Sequence, residues 1–118
     1  MIRPFIVMIS AVLLAACARE DDAKVVGDAD AGRIALQKYE CGVCHVIPGV
    51  RGARGQVGPS LAEYRRGPYL SGKHPKTPEL VAAWIVDPPA MAATTAMPVV
   101  GVTPTEARDI VAYLYTVD

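Results

Sequence analysis

Cysteine and histidine are scarce in this chain, three and two residues among 118, and that scarcity narrows the chemistry before any motif is weighed. A structural zinc site would have to recruit Cys41, Cys44, His45 and His74, and because Cys44 and His45 are chain neighbours the spacing matches none of the usual patterns. A thioredoxin-like dithiol expects strands around its C-x-x-C pair, yet no segment alternates apolar and polar residues as a half-buried strand does. Charge of one sign is lacking too: 12 Lys and Arg stand against 12 Asp and Glu, so no global basic field points to nucleic acid. The long apolar run Phe5 to Ala16, broken only by Ser10, falls short of the ~20 residues a spanning helix needs. Internal repeats and low-complexity segments are missing as well.

What is present begins with that run. Preceded by the basic Met1-Ile2-Arg3 and followed by small residues, it has the form of an export signal. Its end, Leu14-Ala15-Ala16-Cys17, resembles the lipobox of bacterial lipoproteins, which implies a signal peptide over 1–16, cleavage before Cys17 and lipid on that residue. The alternative is ordinary cleavage after Ala16-Cys17-Ala18, leaving a soluble periplasmic protein. Arg19 to Gly27 then reads as a polar tether, so that 17–27 is a lipidated N-terminus and 28–118 a single small domain. More than one acyl chain would hold such a protein stably at a membrane surface.

Helix signals occur at three places. Asp28 is a good N-cap for a segment carrying Ala31, Ile34, Ala35 and Leu36. Thr77 caps a second, with Pro78 at its first position and Leu80, Val81, Trp84 and Ile85 following, until Asp87-Pro88-Pro89 stops it. Thr103 and Glu106 form a capping box ahead of Ala107, Ile110, Val111, Leu114 and Tyr115 at helical spacing. Ser60-Leu61-Ala62-Glu63 is a further capping box, which predicts a short helix after Gly58-Pro59.

Between the first two helices lies Cys41-Gly42-Val43-Cys44-His45. A C-x-x-C-H pentapeptide reads as a c-type haem attachment site: two thiols bond one edge of the porphyrin, and the adjacent imidazole reaches the iron. Residues three and four apart share a helix face, so one helical turn would supply that geometry. With Cys41 and Cys44 given to haem and Cys17 to lipid, no thiol is left for a disulfide.

The order of elements, with this motif closing the first helix, resembles the class I, single-haem cytochromes c in a lipoprotein-anchored form. The resemblance implies an all-α fold of three main helices and loops wrapped around one covalent haem c. Gly32, nine residues before Cys41, resembles the glycine at which the first and last helices of the family cross, and Tyr113 resembles the aromatic that meets it. Gly58-Pro59-Ser60-Leu61 resembles the family's G-P-x-L, which implies that the Pro59 carbonyl accepts a hydrogen bond from His45 and fixes its tautomer. Thr95-Ala96-Met97-Pro98, with Gly101 beyond, resembles the methionine loop, which implies Met97 as the sixth iron ligand and Thr95 as a hydrogen-bond partner of a haem propionate. Met91 and His74 are the other candidates for the iron. Trp84 resembles the aromatic lining the methionine side of the haem, and Tyr69 is a further candidate for a propionate.

Histidine with methionine leaves no open position on the iron, which argues for electron transfer without turnover. The resemblance extends to small bacterial cytochromes associated with haem-copper oxidases, implying a membrane-tethered carrier that serves a terminal oxidase or another respiratory complex. A fixed haem subunit of a larger oxidoreductase and a haem sensor or peroxidase are the alternatives. Arg51, Arg54, Arg65, Arg66, Lys73 and Lys76, against Glu63 alone, make a basic stretch that would either steer an acidic partner or serve as a solvated face.

Overall fold

The computed structural model describes residues 25–64, 67 and 69–117. The export signal, Cys17, Arg65 and Arg66 lie outside the described residues. The first helix, α1 (Ala29–Lys38), starts where Asp28 accepts hydrogen bonds from the backbone N–H groups of Asp30 and Ala31 at 2.9 and 3.1 Å. It buries Gly32, Ala35 and Leu36, a spacing of three and four that gathers one face. Ile34, expected on that face, is 60% exposed, because it lies two residues from Gly32 and so about 200° around the helix.

Two strands of two residues each, β1 (Tyr69–Leu70) and β2 (His74–Pro75), pair antiparallel with Leu70 opposite His74. The chain reverses between them through Ser71 and Gly72, both at positive φ. Strands this short carry too few positions for an alternating pattern, which is why the sequence reads as strandless.

Helix α2 (Pro78–Val86) is capped by Thr77, whose hydroxyl accepts from Leu80 N–H at 3.2 Å. Pro88 stops it and also opens α3 (Pro88–Met91), with Asp87 accepting from Ala90 N–H at 3.2 Å. Proline at a first helical position gives up an N–H that would have no partner anyway. The last helix, α4 (Pro104–Leu114), carries the expected capping box: Glu106 N–H donates to Thr103 Oγ1 at 3.2 Å, and Thr103 N–H donates back to Glu106 Oε2 at 3.1 Å. No helix is present over residues 60–63 of the segment predicted after Pro59, and 3-10 conformation is reached only at Tyr64. Ser60 Oγ instead accepts from Ala62 N–H at 3.2 Å, two residues on, which closes a serine turn.

Helices α1 and α4 cross at Gly32, where any Cβ would collide with the backbone of Asp109 and come to 2.8 Å from Ile110 N. The crossing is pinned on either side. Asp28 N–H donates to Asp109 Oδ1 at 2.9 Å, while Glu106 receives the Lys38 ammonium at 2.8 Å and the Tyr39 hydroxyl at 2.6 Å. The atoms closest to a Cβ added at Gly32 are α4 backbone, and the hydroxyl of Tyr113, the aromatic expected at this crossing, donates to the Pro48 carbonyl at 2.6 Å. Tyr113 lies one helical turn beyond Asp109, so it reaches the loop after the C-x-x-C-H motif. Leu36, Val81, Ile110 and Val111 form the most deeply buried part of the core, and α2 packs on α4 to complete it. The result is an all-α architecture, and among the described residues no helix is long and apolar enough to cross a membrane.

Candidate functional site

The C-x-x-C-H motif does not close α1, as the sequence suggested. Helix α1 stops at Lys38, Glu40 takes a left-handed conformation at φ 56°, and Cys41–Val43 form a separate 3-10 turn. The Cys41 carbonyl accepts from both Cys44 N–H and His45 N–H, at 3.2 and 3.1 Å, so a single tight turn carries both thiols and the imidazole. Cys41 and Cys44 are half-buried and unbridged, and burial pushes the Cys41 thiol above its ordinary 9.0, keeping it protonated.

The following loop wraps this turn through main-chain bonds. Gly55 N–H reaches the Gly42 carbonyl at 3.0 Å, Gly58 N–H the Cys44 carbonyl at 2.8 Å, and Leu61 N–H the Val46 carbonyl at 2.8 Å. The imidazole of His45 lies over Gly58, where a Cβ would come within 2.8 Å of Nδ1 and 2.9 Å of Nε2. His45 Nδ1–H donates to the Pro59 carbonyl at 2.6 Å, the contact expected of Pro59. With Nδ1 so engaged, Nε2 keeps its lone pair for a metal.

In the second half of the chain, Trp84 is buried at 9% exposure within α2, and its indole N–H donates to the Met97 sulfur at 3.1 Å. Met97 is half-buried and packs against the core, although Ala93, Thr94, Ala96 and residues 98–101 around it are exposed. Met97 N–H donates to Thr95 Oγ1 at 3.2 Å, which holds the turn and leaves the Thr95 hydroxyl proton free to serve an acceptor. Of the rival ligands, His74 is engaged: its Nε2–H donates to the backbone carbonyl of Met91 at 3.1 Å, tying β2 to α3. Among the described residues no three of His, Cys, Asp and Glu converge as in a protein-only metal cage.

Of the basic stretch, Arg51, Arg54 and Lys73 are exposed. Lys76 is not part of such a surface, because its ammonium donates to the Tyr64 carbonyl at 2.6 Å and sits 4.7 Å from the centre of the Tyr64 ring. Tyr69 contributes its backbone to β1; its side chain lies outside the described residues.

Two features escaped the sequence reading. Tyr64 is 5% exposed, and its hydroxyl has no hydrogen-bond partner among the described residues; burial pushes its ionisation well above the ordinary tyrosine range. Glu106, read only as a cap, is held down to about 2, chiefly by its hydrogen bond to Lys38 and then by that to Tyr39. No local signal could have found the second, since Glu106 is 68 residues from Lys38.

The residues present fit a covalently attached porphyrin iron. Two thiols share one turn, an imidazole is oriented with Nε2 free, the glycine beneath its ring admits no side chain, and a thioether sulfur is fixed by a buried donor. A family model described as Cytochrome c matches residues 29–118, which takes in every element from α1 to α4. No curated protein is similar enough to the chain to be matched.

Proposed function

The chain belongs to the cytochrome c family, and from that premise we propose that it is a membrane-tethered respiratory electron carrier whose iron is ligated by His45 and Met97. The family's covalent c-type haem supplies one-electron chemistry, its iron passing between ferric and ferrous states. In this reading Cys41 and Cys44 hold it by thioether bonds, Pro59 orients His45, and Thr95, with Tyr69 as a further candidate, receives a propionate. Trp84 backs the methionine side.

The observation that carries the reading is the seating of the Met97 sulfur on the Trp84 indole, in a loop whose other residues are mostly exposed. A thioether that receives a buried donor as well as packing on the core supports the reading of Met97 as a ligand, and His74 is occupied elsewhere. Histidine and methionine together leave no position open for oxygen or peroxide. The lipobox-like Leu14-Ala15-Ala16-Cys17 supports a lipid anchor on the extracytoplasmic side of a membrane, and the exposed Arg51, Arg54 and Lys73 suit an acidic redox partner such as a terminal oxidase.

Absorption spectroscopy of the holoprotein tests the ligand assignment. Met97→Ala is expected to lose the methionine-to-ferric charge-transfer band and to let the ferrous protein bind carbon monoxide rapidly, while His74→Ala keeps the wild-type behaviour. The reverse result would move the ligand to His74. An N-terminal peptide mass that shows acyl chains in the wild type and none in Cys17→Ser tests the anchor.

A further inference from the structure

The segment that carries Met97 leaves α3 through one peptide plane, the one joining Met91 to Ala92. Its N–H closes the helix on the Pro88 carbonyl at 3.0 Å. Its oxygen belongs to the carbonyls that a helix end leaves without an intrahelical partner, and it accepts from His74 Nε2–H at 3.1 Å. The plane is thus held at both edges, at one by its own helix and at the other by a side chain 17 residues away. The strand that presents His74 is itself anchored. His74 pairs with Leu70, which is 9% exposed, and just past β2 the Lys76 ammonium is tied to the Tyr64 carbonyl at 2.6 Å.

Beyond that plane the restraint falls away. Residues 93, 94, 96 and 98–101 are exposed, and the chain is fully buried again at Val102, 4% exposed. Thr95 N–H donates to the Ala92 carbonyl at 3.0 Å and Met97 N–H to Thr95 Oγ1 at 3.2 Å, so these bonds travel with the loop and do not attach it. A segment fixed at its ends and loose between them opens by rotation at a few end residues. Such openings lie at the low end of a protein's range of local stabilities.

We propose that His74 is a positioning residue for Met97 that acts through this hinge: by fixing the Met91–Ala92 plane it sets how rarely the loop swings out and carries the thioether away. The inference rests on Met97 being the iron ligand, and it gives His74 a role outside the coordination sphere. Without the imidazole donor the plane keeps its N–H bond alone. The closed loop then loses one hydrogen bond's advantage over the open one, in which water serves the Met91 carbonyl.

His74→Leu removes the donor and keeps a side chain in its place, whereas His74→Gln returns an N–H at similar reach. In the haem-loaded protein, amide hydrogen exchange at Ala92, Thr95 and Met97 is expected to quicken about fivefold in His74→Leu, with the core amides of α4 unchanged. Free imidazole added to the ferric protein reaches the iron only while the loop is open, so its apparent affinity should rise by the same factor of about five. His74→Gln should restore both to the wild-type values. Loop amides and imidazole affinity that do not move in His74→Leu overturn the proposal, as does a quickening that spreads equally to α4 or that Gln fails to reverse. Opening stays rare in each His74 variant, so the charge-transfer band is retained. Retention of that band in Met97→Ala would instead refute the ligand assignment, and because the loop amides are read independently of the iron, the two failures are distinguishable.

Discussion

Around His45 the chain is pinned by its own backbone: main-chain N–H groups of Gly55 and Gly58 bind carbonyls of the C-x-x-C-H turn, that of Leu61 binds the Val46 carbonyl just after it, and the imidazole sits on a glycine with its Nδ1–H on a proline carbonyl. Around Met97 the chain is mostly solvent-facing, and what joins it to the fold is side-chain chemistry, the Trp84 indole on sulfur and the Thr95 hydroxyl on an amide. The two segments therefore differ in what they tolerate. A backbone-built side has no slack, since any added atom displaces a ring or a strand of main chain. A side-chain-built segment can be retuned by exchanging one group.

Substitutions can break or sharpen this contrast. The largest effect is expected at Gly32, beneath the crossing of α1 and α4 that supports the histidine side. Gly32→Ala drives a methyl group into the Asp109 backbone and should cost about 3 kcal/mol, measured as a lowered urea midpoint. Gly58→Ala comes next. Its Cβ lands on the His45 ring, so about 2 kcal/mol of stability should be lost together with the yield of correctly ligated haem protein, read from the Soret absorbance per mole of chain. The methionine side offers the matched control at Gly101, where φ is +91° and an added Cβ meets nothing within 4 Å. Gly101→Ala then suffers backbone strain alone, about 1 kcal/mol, with the Soret yield unchanged. Equal losses of ligated protein at Gly58 and Gly101 would erase the distinction between the two sides.

The smallest effect concerns Glu106, at the far end of the α1–α4 clasp. Its carboxyl is lowered from an ordinary 4.5 to about 2 in the folded protein. The unfolded chain therefore binds the proton first, and the stabilisation is present above about pH 4.5 and drains away as pH falls toward 2. Glu106→Gln should accordingly lower the urea midpoint slightly at pH 6 and leave it equal to wild type near pH 2. A difference that persists at pH 2 would assign the effect to the lost cap geometry instead of the charge.

Legibility from sequence followed distance along the chain. The caps at Asp28, Thr77 and Thr103 were readable because cap and partner lie within three residues, and the helices they open appeared where expected. Ser60 shows the limit of the same local reading: its oxygen accepts from the Ala62 amide two residues on, closing a turn over the residues where the pattern announced a helix. The left-handed Glu40, which detaches the C-x-x-C-H turn from α1, has no residue signal of the kind a glycine would have provided. The bond of the Tyr113 hydroxyl to the Pro48 carbonyl, 65 residues away, had no sequence signal, since helix periodicity gives a face and not what lies opposite it.

The amino-acid sequence by itself determined that two thiols and an imidazole occur on one short turn, that capped helices flank it, and that proline and glycine shape the loops between them. Those features depend on atoms within a few residues of one another, and local sterics and hydrogen bonding suffice to set them. Only the tertiary structure decided which sulfur faces a buried indole, that Lys76 is tied to Tyr64, and that Glu106 locks the end of α1. Those contacts span 12 to 68 residues, and their partners are chosen by how the helices cross, a choice made at Gly32 because hydrogen alone fits there.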